Sequence, residues 1–112
     1  MTIKQISVFL ENVSGRLAEV TRILSTGGVN LRAITIADTA DFGILRIVSD
    51  NPEETLAILE KEGFTARVTE VLAVEIDDKP GGLSRVMDIF FNNDVNIEYL
   101  YASLEQNRDN AV

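Results

Sequence analysis

The chain has 112 residues, 46% hydrophobic and 25% charged, a globular composition with room for one ordinary domain or two very small ones. It contains neither cysteine nor histidine, which excludes disulfides, thiolate-bound metals and thiol nucleophiles and leaves carboxylates, lysines and hydroxyls as the groups for acid–base chemistry. Ten Lys and Arg stand against 18 Asp and Glu, and a net charge of −8 sets the chain against phosphate backbones and anionic lipid, so neither nucleic acid nor membrane is an expected partner.

Met1 to Gly15 carries one lysine and then alternates apolar with polar residues, where a signal peptide needs a continuous apolar run of about 7–15 residues. No segment reaches the roughly 18 apolar residues of a membrane span. With the lack of cysteine, the cytoplasm is the expected compartment. Ile6, Val8 and Leu10 alternate with Ser7, Phe9 and Glu11 as in a strand, and Asn12 to Gly15 reads as a turn with Ser14 as N-cap. From Arg16 the period changes. Leu17, Val20, Ile23 and Leu24 form the apolar stripe of a helix that Gly27-Gly28 ends. Val29 to Ile36 returns to strand character, residues 38–41 form a polar turn, and Phe42 to Val48 is a third strand that should close a hairpin with the second.

Asp50-Asn51-Pro52 followed by Glu53 and Glu54 combines a cap, a proline in the first turn and carboxylates at the positive end of the dipole. The helix it predicts turns Leu56, Leu59 and Ala57 inward and stops at Gly63; Phe64 to Val68 begins a fourth strand. Strand, helix, strand, strand, helix, strand is thus complete in residues 1–69.

The chain then starts again. With Gly81 set against Gly15, an offset of 66, Leu10 meets Ile76, Glu11 meets Asp77, Leu17 meets Leu83, Val20 meets Val86, Ile23 meets Ile89 and Asn30 meets Asn96, without a gap. Residues 70–112 are therefore expected to be a second, partial domain: a strand over Val71 to Ile76, a helix from Gly82 to Asn92, and a strand from Val95 to about Leu104. In the usual βαββαβ sandwich the third strand lies between the first and second, so this copy lacks the strand its other two would pair with. A missing C-terminal part, a strand donated by another chain, and direct pairing of a reduced unit would each resolve this. The first is the expectation, because Asn110-Ala111-Val112 reads as a strand just begun.

The segments Leu10-Glu11-Asn12-Val13-Ser14-Gly15-Arg16-Leu17 and Ile76-Asp77-Asp78-Lys79-Pro80-Gly81-Gly82-Leu83, each followed by an apolar helix and then Gly-Val-Asn-Leu or Asp-Val-Asn-Ile, resemble the ACT domain. The resemblance covers essentially the whole chain and looks like the short proteins made of two ACT repeats. It departs at Ser14, where the family often has proline, and in the early stop of the second copy. It implies an α+β, ferredoxin-like βαββαβ fold in two tandem repeats, the second incomplete, with antiparallel sheets and helices on one face. It further implies a regulatory module that binds an amino acid between the first-strand turn of one domain and the corresponding region of a neighbour, with the chain paired as a homodimer.

On that resemblance Asn12 and Asn30 fall on amide positions that hold the ligand, with Gly15 at the turn. The second copy offers Asp78, Asn96 and Gly81, where Asp78 favours an amino group and repels a carboxylate. The physical logic stands without the family: glycine lets a ligand approach the backbone, nearby helix amides present donors to a carboxylate, and Asn supplies both donor and acceptor. Each residue also has a plainer reading as a turn former. Asp77-Asp78 reads as a solvated turn without a third ligand, and Lys79-Pro80-Gly81-Gly82 lacks the spacing of a phosphate-binding loop. Phe90-Phe91, Tyr99 and Tyr101 read as core and strand residues, with Leu100 alternating between the tyrosines. No catalytic residue, metal or cofactor is expected. The alternatives are an interaction module with the fold and no ligand site, and a small enzyme, for which Lys4, Lys61 and Lys79 show no convergent partner.

Overall fold

The computed structural model describes residues 1–11, 13–38, 42–103 and 110–112. They form two compact units, Thr2–Leu72 and Ala73–Val112, the second joined by Met1. The first contains β1 (Thr2–Glu11), α1 (Arg16–Thr26), β2 (Leu31–Asp38), β3 (Phe42–Ser49), α2 (Pro52–Lys61) and β4 (Thr65–Leu72). Its antiparallel sheet has the order β2-β3-β1-β4, with the third strand between the first and second, as in a ferredoxin-like fold.

β1 is central and pairs on both sides: Ile6 faces Ile47 and Val68, and Val8 faces Leu45 and Ala66. The period of two sends Ile6, Val8 and Leu10 to one face, where they join Leu45 and Ile47 from β3, Val20 and Leu24 from α1, and Leu59 from α2 in a buried cluster. Each such side chain contributes about 1.5–3 kcal/mol by leaving water. α2 is capped as its sequence predicts. Asn51 accepts from the Glu54 amide at 3.2 Å and donates to the Glu54 carboxylate at 3.1 Å, with Pro52 at the first helical position.

Two details differ from the sequence reading. Ala57 is exposed, because the inward stripe of α2 runs through Thr55 and Leu59, with Leu56 half-buried. Thr55 escapes a hydrophobic pattern because it is polar, yet its hydroxyl is satisfied inside, donating to the Asn51 carbonyl at 2.8 Å and lying 2.8 Å from the Ser49 hydroxyl. The helix-opening residue of α1 is Gly15, not Ser14. Of the turn expected over residues 38–41, Asp38 ends β2 and the rest lies outside the described residues.

The second unit contains β5 (Ile76–Asp77), α3 (Gly82–Asn92) and β6 (Asn110–Ala111). Ile76 faces Ala111 and Asp77 faces Asn110, while Ser103 and Val112 exchange backbone hydrogen bonds of 2.7 and 3.1 Å. In the first unit the matching pairs are Leu10 with Gly43, Glu11 with Phe42, and Ala37 with Ile44. The registers agree if the third strand is shifted by 68 residues rather than 66.

Two expected strands are not formed as drawn. Val71 and Leu72 end β4, opposite Ile3 and Thr2, and of the segment from Val71 to Ile76 only Ile76 enters β5. Residues 95–103 form no strand, and Leu104 lies outside the described residues. A strand needs a ladder, and the one exchange with Val112 does not extend one. Phe91, expected in the core, is 69% exposed, and Leu83, Ile89 and Leu100 are exposed with it. No helix among the described residues is long and apolar enough to cross a membrane.

Two exposed ion pairs tie the first unit's elements together: Lys4 to Glu53 at 2.6 Å and Arg32 to Asp50 at 2.5 Å. The hydrogen bond from Arg32 holds the Asp50 carboxyl below its ordinary value, and that from Lys4 does the same to Glu53. Their contribution is present above the unfolded carboxylate values near pH 4 and is lost as the pH falls through the lower folded values. The urea midpoint is therefore expected to fall as pH drops from about 6 to about 2, and to fall less in a Lys4→Met, Arg32→Met double variant; equal falls would remove these pairs as a cause. In the core, Leu59→Ala is expected to cost about 2–5 kcal/mol in chemical denaturation, whereas Ala57→Ser stays within about 0.5 kcal/mol.

Candidate functional site

In both copies the chain leaves a strand and enters a helix through the same backbone path. In the first, the Val13 amide donates to the Glu11 carbonyl (2.8 Å), Arg16 to Val13 (3.3 Å) and Glu19 to Gly15 (2.9 Å). In the second, Lys79 donates to Asp77 (2.9 Å), Gly82 to Lys79 (3.1 Å) and Arg85 to Gly81 (3.1 Å). Gly15 has φ 89° and ψ −9°; Gly81 has φ 90° and ψ −10°. At both N-caps the residue is glycine, which supplies no side-chain cap to the first-turn amides at the positive end of the dipole.

The side chains around the shared path differ. Arg16 lies 3.0 Å from Glu19 and 3.9 Å from Glu11, whereas in the second turn Lys79 and Arg85 approach Asp77 at 3.7 and 3.8 Å. The acid that ends the strand thus meets a cation in both copies, drawn from different positions. These pairs escape sequence reading because they cross a turn. They also place two cations beside Asp77, next to the exposed Asp78. A side chain on Gly82 would collide with the Asp77 carbonyl, so the position occupied by Arg16 in the first copy is closed to one in the second.

Gly15 and Asn30 stand at opposite ends of α1, an eleven-residue helix about 16 Å long, and Gly81 and Asn96 likewise flank α3. Within one domain the structure does not bring these residues together. Asn30 is exposed, and its backbone carbonyl accepts from the Asp50 amide at 3.3 Å. Asn96 is exposed, and Asn12 lies outside the described residues. An open cavity of about 160 Å³, unforeseen in the sequence, adjoins the first turn between Phe9, Glu11, Arg16, Glu19, Glu62 and Phe64.

Among the described residues no group of three or more Asp or Glu is placed to hold a metal ion. Among the described residues, Lys4, Asp50 and Glu53 are displaced from their ordinary values and belong to exposed ion pairs away from the turns. The arrangement offers backbone donors, amides and paired charges: recognition chemistry.

The family model of the ACT domain pair matches residues 1–112. The chain is 33% identical over 89 residues to the acetolactate synthase small subunit of Buchnera aphidicola subsp. Baizongia pistaciae; the match takes in 79% of this chain and spans 56% of that protein's length. Among solved structures it is similar to protein BT0572 from Bacteroides thetaiotaomicron, at 39% identity and TM-score 0.91 over 99% of this chain and 76% of that one. The ligand-free regulatory subunit of aspartate kinase from Thermus thermophilus shares the fold, with TM-score 0.69 at 16% identity over 99% of this chain and 83% of the other.

A Cβ at Gly15 would meet nothing within 4 Å, so the cost of adding one is that of the backbone alone. Gly15→Ala is expected to lose about 1–2 kcal/mol in urea unfolding and Gly15→Asn less, because asparagine tolerates the left-handed region. Equal stability of Gly15→Ala and the parent would contradict this turn geometry.

Proposed function

The chain belongs to the ACT domain family, as an ACT domain pair, and from that premise we propose that it is a non-catalytic regulatory module that binds a small amino acid where two such domains meet. The observation that carries this reading is the placement of Gly15 and Asn30 at opposite ends of α1. One ligand reaches both kinds of residue only when two domains lie antiparallel, the turn of one against the Asn30 end of the other. The α-carboxylate then meets the first-turn amides beside Gly15 or Gly81, and the amides of Asn12 and Asn30, with Asp78 and Asn96 in the second copy, take the remaining polar groups.

The edge of the first sheet supports the pairing. β2 is an edge strand on which Ile34 and Ile36 remain 48% and 49% exposed, an apolar surface suited to a second copy in a homodimer. An amino acid held across such a pair binds the paired state better than the separated one and shifts the equilibrium toward it by that difference in affinity. The related acetolactate synthase small subunit is by name a subunit of an enzyme, and we assign this chain a regulatory role toward a cytoplasmic enzyme.

One observation favours a second reading. The exposed β2 edge, with Ile34 and Ile36 on it, serves a protein-interaction module equally well without a ligand.

Calorimetric titration of the full chain with each of the twenty amino acids separates the two. The regulatory reading expects saturable heat from one amino acid or a small chemical group of them, with at least about tenfold weaker binding in Asn30→Ala, the loss of one good polar contact. No heat and no thermal shift from any of them would leave the interaction reading.

A further inference from the structure

We draw no further inference here: the strongest candidate, the exposed apolar side chains that α3 carries at Leu83, Ile89 and Phe91, carries none because nothing in the structure shows what covers them.

Discussion

A glycine held at positive φ between β1 and α1, and again between β5 and α3, is the constraint on which the candidate site depends. At 89° and 90°, Gly15 and Gly81 occupy a region that costs an ordinary L-residue about 1–2 kcal/mol. That conformation reverses the chain within a few residues and starts the helix without a side-chain cap. In the first unit the reversal lays α1 back over the sheet, so that Val20 and Leu24 meet Ile6, Val8 and Leu10. One local backbone choice thus serves two ends: it closes the core on one side of the turn and starts a helix whose N-cap residue supplies no side chain.

The duplication shows which parts of the turn matter and which vary. Three backbone hydrogen bonds and the glycine angles recur at the same offset, while the charges are rearranged: Arg16 sits on Glu11 and Glu19 in one copy, Lys79 and Arg85 on Asp77 in the other. These pairs are exposed and weak individually, worth about 0–1 kcal/mol each. Their interest is electrostatic: two turns of one shape carry different charge.

Much of this was legible in the residues. The change from period two at Leu10 to helical spacing at Leu17 located β1 and α1, the cluster Asn51-Pro52-Glu53 located α2, and the recurrence of Gly15 as Gly81 exposed the duplication. What stayed hidden depends on partners distant in sequence. Residues 95–103 have the composition of a strand but no ladder to join, Thr55 is buried because Ser49 and Asn51 satisfy its hydroxyl, and Arg85 meets Asp77 across a turn that spacing alone does not close. Ser14 looked like a cap because serine commonly is one, yet the left-handed glycine after it opens the helix instead. The candidate site residues were readable as types, and their separation followed from a helix that begins after Gly15 and ends at Gly27-Gly28, before Asn30.

That separation is the core of the functional account, and backbone amide chemical-shift mapping tests it most directly. The isotopically labelled chain is titrated with each of the twenty amino acids, and the amides of residues 15–18 and 29–31, at the two ends of α1, are followed together. The account predicts that one amino acid shifts both groups with a single saturation curve. Shifts confined to one end of the helix, or none with any amino acid, would contradict a ligand held between two domains.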